Sequence, residues 1–447
     1  MFRKIIITIL IPIIISPTVY AKDFSINYEE KAAYVNMDFW SNFGDSILCG
    51  YIQEALKNNH DAKKMSYQVE EFKQKIRYTR SFEFPMLSVA PSYLAAQVPD
   101  LDNFELDASG FLLPFSMNYE ADLLLKNHDK TKLDKKSCEI KQLEEKTAYI
   151  TLVSNLAAVY VNIMRYNKKL ELEEKILHNQ QQLLSKTEFR YRYGIASKID
   201  VNNMYEKIYA TQNNIKQLSL NRRDALFELA VLLGKNPECI NDLQITNIEN
   251  FGNNLSVPDS IPSEKIFSRP DILAAEKDLE RANIDIRIAR KEFFPSFKIT
   301  GFWVFNTIAP GNFFNWNTIL ASILAGATQD IFVGGRKVAN LKIKKMKYEQ
   351  LFQTYEQTNL TALKEVSSTL LKLEDDEKIL NIFCRKSSKE YDNLQLTNLN
   401  YRHGTVSQMD FLSKENDFYK VRQEVFDKKA EKLIDYISLY KALGGNL

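Results

Sequence analysis

The chain has 447 residues, and its formal net charge at pH 7 is only +2. This weak net charge provides no basic field for nucleic acid, so we expect no nucleic-acid partner. The 14 glycines and 12 prolines are few for this length, which indicates long regular elements rather than a loop-rich chain.

The N-terminus has the pattern of a secretory signal peptide. Two basic residues precede an apolar run over residues 5–15, and Val19 and Ala21 occupy the −3 and −1 positions of a cleavage site. We therefore predict a signal peptide over residues 1–21 and a mature chain from Lys22. No cysteine follows the apolar run, so no lipid attachment point is expected there. An exported chain of this kind is periplasmic, secreted, or inserted in an outer membrane as β-structure.

The sequence repeats itself when it is shifted by 210 positions without a gap. The matches cluster at residues where backbone geometry is demanding. They include Arg80 with Arg290, Pro85 with Pro295, Tyr191-Arg192 with Tyr401-Arg402, Gly194 with Gly404, Asp200 with Asp410, and Gly234 with Gly444. We predict an N-terminal periplasmic segment over 22–44, a first repeat over 45–235, a middle, equatorial segment over 236–261, and a second repeat over 262–447.

Each repeat begins with a helix and continues into a β-hairpin. The helices are predicted over about 46–80 and 262–291, and Pro85 and Pro295 follow them as chain breakers. Apolar and polar residues then alternate over 111–121 in the first repeat and over 296–306 in the second, and the partner strands of the two hairpins are predicted over 86–97 and 316–327. Turn-like stretches at 99–110 and 309–312 join these strands. Alternation over about ten residues is the pattern of a transmembrane β-strand pair.

A long helix follows each hairpin, over about 127–186 and 338–399, with neither proline nor glycine. Helices of this length are supported by coiled-coil partners. Gly194 and Gly404 suit the left-handed position after a helix, and return helices then run to Leu233 and Leu443. Each return helix and the shorter incoming helix together match the long helix in length, so we expect them to stack end to end against it.

The number of strands predicts an oligomer. Two hairpins supply four strands, whereas a barrel in an outer membrane needs at least eight. An open sheet edge in lipid leaves backbone groups unsatisfied at a cost of several kcal/mol each. Three copies would supply twelve strands, enough to enclose a lumen, and the long helices would continue the tube on the periplasmic side.

The sequence resembles the TolC-like outer-membrane efflux proteins over nearly its whole mature length. The resemblance depends on motifs that occur in order: Ser268-Arg269-Pro270-Asp271-Ile272, Phe293-Phe294-Pro295-Ser296, Gly334-Gly335-Arg336, Tyr401-Arg402-His403-Gly404 and Leu439-Tyr440-Lys441-Ala442-Leu443-Gly444-Gly445. The sequence resembles the branch of the family that serves multidrug pumps more than the branch that serves protein secretion. The resemblance implies a mainly α fold with β-structure: a homotrimer with a twelve-stranded barrel in outer-membrane lipid and an α-helical periplasmic tunnel. It also implies docking to a periplasmic adaptor and an inner-membrane transporter, and an iris-like opening at the helix tips.

The candidate site residues lie at the turns between the long and return helices. Asp200 and Asp410 would form acidic rings at a periplasmic gate, or they are only the acidic members of helix caps begun by Ser197 and Ser407. By resemblance, Met409 and Ser413 occupy gating positions where drug-pump relatives have Leu and Asp, so Ser413 departs from the pattern. Asn203 is the counterpart of Ser413 in the first repeat.

The turns themselves are predicted to contact the adaptor through six residues. Their aromatic and basic side chains either bridge neighbouring helices or simply pack and remain solvated. The six are Tyr191, Arg192, Gly194, Tyr401, Arg402 and Gly404. Pro85, Pro295, Gly334, Gly335 and Arg336 are predicted as structural turns, because the glycine pair lacks the spacing of a phosphate-binding loop. In the first repeat, Leu124-Leu125-Lys126 stands where the family commonly has Trp-Gly-Arg.

No metal site is predicted, since the four cysteines and four histidines show no ligand spacing. No nucleophile-elbow or paired-carboxylate signature occurs, so we predict no enzyme and no cofactor. The leading hypothesis is a trimeric passive exit duct for small molecules such as drugs and toxic compounds, leading from the periplasm to the exterior. One alternative is the duct of a type I protein secretion system. A second is a coiled-coil envelope protein without a pore.

Overall fold

The structure, a computed structural model, describes Ile26, residues 28–98, 106–253, Leu255, 261–307 and 319–447. The predicted signal peptide, the predicted turn over 309–312 and the first three residues of the strand predicted over 316–327 lie outside the described residues. So do the first seven residues of the turn predicted over 99–110.

The described elements follow the same order in both repeats, after a short N-terminal segment. The segment contains α1 (Tyr28–Ala32) and α2 (Met37–Ser41). The first repeat contains α3 (Ser46–Asn58), α4 (His60–Ser81), β1 (Met86–Val89), β2 (Ser92–Val98), β3 (Leu106–Ala121), α5 (Lys126–Arg192) and α6 (Lys198–Leu232). A 3₁₀ helix (Pro237–Asp242) precedes the second repeat, which contains α7 (Ser263–Phe267), α8 (Pro270–Lys291), β4 (Ser296–Thr307), β5 (Ile319–Thr328), α9 (Arg336–Arg402) and α10 (Gln408–Ala442).

The prediction of one continuous first helix in each repeat is wrong, because the structure interrupts that helix. At Asn59 the backbone leaves the helical region, with φ −59° and ψ 130°, and the Asn59 side chain accepts a hydrogen bond from the amide of Ala62 to start α4. In the second repeat, Pro270 is the first residue of α8 and supplies no amide donor to a preceding turn. The incoming helix of each repeat therefore starts afresh at its own cap.

The interruption lets the return helix meet the incoming helix end to end. The Asn59 side-chain amide donates to the carbonyl oxygen of Leu232, at the end of α6, at 3.0 Å. At positions 210 residues later, Arg269 Nη1 donates to the carbonyl oxygen of Ala442, at the end of α10, at 2.7 Å. In the first repeat α4 and α6 both pack on α5, and in the second α8 and α10 both pack on α9. Two shorter helices thus run along one helix of 67 residues, which is about 100 Å long.

All the strands in the described part of the chain belong to one antiparallel sheet, in which β1 and β2 pair with β3, β3 with β4, and β4 with β5. The third strand is longer than predicted, since it begins at Leu106 and not near residue 111. One face is apolar: the Phe115 and Trp303 rings stack with centroids 5.9 Å apart, and Met117 lies opposite Gly301. The other face contains a Ser88–Ser116 hydrogen bond and places Glu120 opposite Lys298. The sheet is therefore amphipathic, as the alternation predicted.

The main hydrophobic core lies at mid-length of the helices, where α6 and α10 end. Trp40, Tyr149, Tyr160 and Tyr440 are fully buried there, and the Phe39 ring stacks on Tyr440 at 4.3 Å. The N-terminal segment contributes Val35 and Phe39 to this core, and the middle segment contributes Ile248 and Phe251. One helix, α5, includes an 18-residue window apolar enough to cross a membrane, but 67% of that window is buried inside the protein. That window is therefore explained by the core.

Candidate functional site at the helix-tip turns

The first turn ends α5 with a glycine in the left-handed backbone conformation. Gly194 has φ +72°, and the amide of Ile195 donates to the carbonyl oxygen of Arg190 at 2.8 Å. This bond satisfies a carbonyl group that the helix end would otherwise leave free. The turn and the start of α6 expose apolar side chains: Tyr193 and Ile199 are 68% and 69% exposed.

The second turn repeats this geometry between α9 and α10. Gly404 has φ +75°, and the amide of Thr405 donates to the carbonyl oxygen of Asn400 at 3.0 Å. The Thr405 hydroxyl donates to the same oxygen at 2.9 Å. Both glycines therefore occupy the position that the sequence predicted for them.

Both candidate acidic residues are exposed and act in helix caps. The amide and the hydroxyl of Ser197 each donate to Asp200 Oδ2 at 2.8 Å, and Ser197 Oγ accepts from the Asp200 amide. These donors hold the pKa of the Asp200 carboxyl below its usual range. In the second repeat the Ser407 hydroxyl donates to Asp410 Oδ2 at 2.6 Å and accepts from the Asp410 amide. The capping role is therefore real, and both side chains remain exposed to solvent.

The aromatic and basic residues of the turns pack locally. The Tyr401 ring stacks on Phe411 of α10, with centroids 5.6 Å apart and planes 10° apart. In the first turn the Lys198 ammonium lies 5.7 Å from the centroid of Tyr191, and the Arg192 guanidinium lies 6.0 Å from that of Phe189. Arg402 is exposed. The packing alternative thus holds for Tyr401, while an adaptor contact through these residues stays a prediction.

A contact that the sequence did not predict brings the two turns together. Arg190 Nη1 lies 3.7 Å from Met409 Sδ, so the end of α5 touches the first turn of α10. Met409 is half-buried, whereas Asn203 and Ser413 are exposed. Arg190 belongs to the turn motif, but no local spacing indicates a partner 219 positions away. The gate candidates of the two repeats therefore lie on adjoining helix tips.

The junction from strand to long helix differs between the repeats in sequence, but the residue directly before the long helix has a left-handed backbone in both. Gly334 and Gly335 have φ +58° and +79°, and Arg336 begins α9. Leu125, 210 positions before Gly335, has φ +57° and is the one non-glycine residue with positive φ in the described part of the chain. Leu125 thus adopts, with strain, the conformation for which the family pattern has glycine. Pro85 and Pro295 lie directly before β1 and β4, as predicted.

Two helices of the described chain expose apolar stripes along one side. The steps between these residues keep them on one face of each helix. On α9 they are Ile343, Met346, Leu360, Leu371, Ile382, Leu396 and Leu399, and on α6 they are Ile199, Tyr205, Tyr209, Leu220, Phe227 and Val231. Exposed apolar surface on this scale marks an interaction surface. Within the described residues, no group of three or more His, Cys, Asp or Glu could hold a metal ion.

Sequence comparison matches the chain to proteins of one kind. The profile of the family described as outer membrane efflux protein matches residues 51–235 and 261–445. Cation efflux system protein CusC of Escherichia coli (strain K12) is 26% identical over 412 residues, which are 92% of this chain and 89% of the relative. Outer membrane protein OprJ of Pseudomonas aeruginosa is 26% identical over 436 residues, 93% of this chain and 88% of the relative.

Comparison with solved structures gives the same result for the fold. The crystal structure of CusC aligns with a TM-score of 0.77 at 26% identity, and covers 90% of this chain and 93% of that chain. The Campylobacter jejuni CmeC outer membrane channel aligns with a TM-score of 0.82 at 19% identity, over 92% of this chain and 89% of that chain. At 19% identity the likeness to CmeC shows the fold alone.

Proposed function

Because the chain belongs to the outer membrane efflux protein family, we propose that three copies of it form a passive duct from the periplasm to the exterior. In this assembly the sheets close into one barrel in the outer membrane, and the helices continue the duct into the periplasm. The substrates are small molecules. An adaptor in the periplasm and a transporter in the inner membrane supply them.

One observation carries this proposal: the amphipathic sheet has two open edges. Among the described strands, β5 forms one edge, and β1 with β2 forms the other. In lipid each unpaired amide and carbonyl group costs several kcal/mol, so these edges need partners. The exposed stripes on α6 and α9 provide a matching apolar surface below the sheet. Further copies of the same chain satisfy both requirements at once.

The helix-tip turns are the proposed gate at the periplasmic end of the duct. Three copies would bring three Asp200 and three Asp410 carboxylates around the axis, where a ring of negative charge attracts cations and closes by contact between neighbours. Ser413 supplies no second acidic ring in this chain. The gate is therefore expected to depend on Asp410 and on the Arg190–Met409 contact between the tips.

The names of the relatives suggest the class of substrate, and a susceptibility experiment can test it directly. One relative is named for cation efflux and another, from Pseudomonas putida, for antibiotic efflux. Both are small solutes, which favours efflux over the export of proteins. The two solute classes differ in charge and hydration, so they are separate arms of one susceptibility test.

The test is deletion of the gene and complementation from a plasmid. The deletion strain is expected to become sensitive to dyes, detergents and antibiotics, or to salts of metal cations, and the plasmid is expected to restore tolerance. The proteins in the culture medium are compared in parallel. Loss of a secreted protein with unchanged tolerance to every solute would replace efflux by type I secretion. No phenotype in either arm would favour an envelope protein without a pore.

A further inference from the structure

The two hairpins of the chain have one and the same register. In the first, Met86 pairs with Asn118, and in the second, Ser296 pairs with Thr328. Each member of the second pair lies 210 positions after its counterpart in the first. The repeat seen in the sequence is therefore also a repeat of backbone pairing, and each contact in one repeat predicts its counterpart.

The pairing between the repeats shows how one hairpin meets the next. Strand β3 pairs with β4 from Phe111 opposite Thr307 to Ala121 opposite Phe297. The pairing of β3 with β1 ends at Asn118. Residues 119–121 of β3 are thus held as a strand by β4 alone, which extends β3 beyond its own hairpin partner by three residues.

Strand β5 lacks this extension. It ends at Thr328, the counterpart of Asn118, and residues 329–331, the counterparts of residues 119–121, are outside any strand. Ile331 and Phe332 are 98% and 88% exposed, although both are large and apolar. On the opposite edge of the sheet, Leu87 is 62% exposed. Each edge therefore presents apolar residues at the level where the other edge would meet it.

We propose that β5 pairs with β1 and β2 of a neighbouring copy in the register that β3 has with β4. Moving the β3 member of each β3–β4 pair forward by 210 positions, and the β4 member back by 210 positions into the neighbour, places Ile331 opposite Leu87, Thr328 opposite Ala90, and Ala321 opposite Gln97 of the neighbour. This pairing extends β5 to Ile331. It rests on the proposed oligomer and adds to it the residues that join its copies.

The faces of the two strands agree in this register. Ile323 lies opposite Gly301, which lies opposite Met117 on the apolar face, so every second residue of β5 from Ile319 to Ala327 belongs to that face. The proposed extension of β5 places Ile331 on the same face. Leu87 also lies opposite Met117. Leu87 and Ile331 thus meet on the apolar face. A slip of one residue would turn apolar side chains to the polar face, whereas a slip of two keeps the faces and is distinguished by experiment.

Pro91 on this edge removes one hydrogen bond from the proposed pairing between copies. The Ala90 amide donates to the carbonyl oxygen of Pro114 in β3 at 3.1 Å, so the backbone groups of the next residue, Pro91, point to the neighbouring copy. Pro91 has no amide proton, and one bond is lost there. Pro114 causes the same loss inside β3, yet β3 still pairs with β1 after this residue and with β2 before it. The edge therefore tolerates Pro91 as β3 tolerates Pro114.

Disulfide cross-linking tests the register. Because Ala90 directs its amide to β3, Ala90 and Thr328 form a non-hydrogen-bonded pair across the proposed interface. Such pairs have Cα atoms about 4.5 Å apart, within the range of a disulfide. Ala90→Cys with Thr328→Cys is made in a chain whose exposed Cys239 and Cys384 are replaced by serine. After oxidation of membranes, a denaturing, non-reducing gel is expected to show a shift from monomer to covalent trimer.

Two matched variants report slipped registers. Ala90→Cys is combined with Gly326→Cys or with Asp330→Cys, which are diagonal neighbours at roughly 7–8 Å and poorly placed for a disulfide. Little cross-linking of these pairs, together with strong cross-linking of the first, supports the proposal. Stronger cross-linking of either slipped pair overturns it. So does failure of all three pairs in a chain that still migrates as an oligomer before heating, and this leaves the proposed function intact. Absence of any oligomer overturns both.

Discussion

Replacement of Gly234 by alanine tests the end-to-end helix stack most sharply. Gly234 has φ +71°, and a Cβ atom there would lie 2.6 Å from the carbonyl oxygen of Asn58. The left-handed backbone costs alanine roughly 1–2 kcal/mol. The overlap with backbone atoms adds about 1–3 kcal/mol, the usual cost of overpacking. We therefore expect Gly234→Ala to destabilise the chain by about 2–5 kcal/mol in total.

Gly194→Ala is the matched control. Gly194 has nearly the same φ, +72°, but nothing lies within 4 Å of an added Cβ atom. It should lose only the backbone contribution, about 1–2 kcal/mol. The second repeat offers the same comparison, since a Cβ at Gly444 would lie 2.7 Å from Pro270 Cδ and one at Gly404 would lie in open space.

The assay is thermal loss of helical circular dichroism for the purified proteins in detergent, at one heating rate because unfolding of such assemblies is often irreversible. The expected order of the midpoints is wild type, then Gly194→Ala, then Gly234→Ala. Equal midpoints for the two variants, or a lower one for Gly194→Ala, would refute the close contact between the helix ends.

Three further predictions follow from single residues. Leu125→Gly should raise the thermal midpoint, because it relieves a left-handed leucine that costs roughly 1–2 kcal/mol; a lower midpoint would contradict this. Burial, together with a hydrogen bond to Asp435, raises the pKa of Asp376 to about 6. The native state therefore binds this proton more tightly than the unfolded chain, and the stability it contributes is present below about pH 4 and lost as pH rises through about 6. The thermal midpoint of Asp376→Asn, measured relative to that of wild type, should therefore be higher at pH 8 than at pH 4. A difference between the two proteins that does not change with pH would count against this prediction. In planar bilayers Asp410→Asn should lower the preference for cations, whereas Ser407→Ala, which removes only the cap, should not; an unchanged preference in Asp410→Asn would leave Asp410 as a capping residue alone.

The features that could be predicted from sequence depend on local backbone chemistry. The turns at Gly194 and Gly404 require a positive φ that glycine adopts at low cost, and the strands alternate with the period of a pleat. The ungapped shift then tied the two repeats together. For these reasons the helix and strand order, and the place of the acidic residues in the turns, followed from short segments.

The features that sequence analysis missed depend on distant partners. Asn59 interrupts a helical pattern because its side chain also reaches the end of α6, 173 positions away. Lys31 of the N-terminal segment is buried against Glu145 at 2.6 Å, and no spacing in the sequence indicates that pair. Leu125 reads as an ordinary apolar residue, and only its position after the hairpin imposes a left-handed backbone. Tertiary structure decides each of these cases.

The most direct test of the central claim is cryo-electron microscopy of the purified protein in lipid nanodiscs. We expect three copies around one axis, with their sheets joined edge to edge into a single barrel across the lipid and their helices continuing as a tube on one side. A monomer, or an assembly whose sheet lies outside the lipid, would contradict the account.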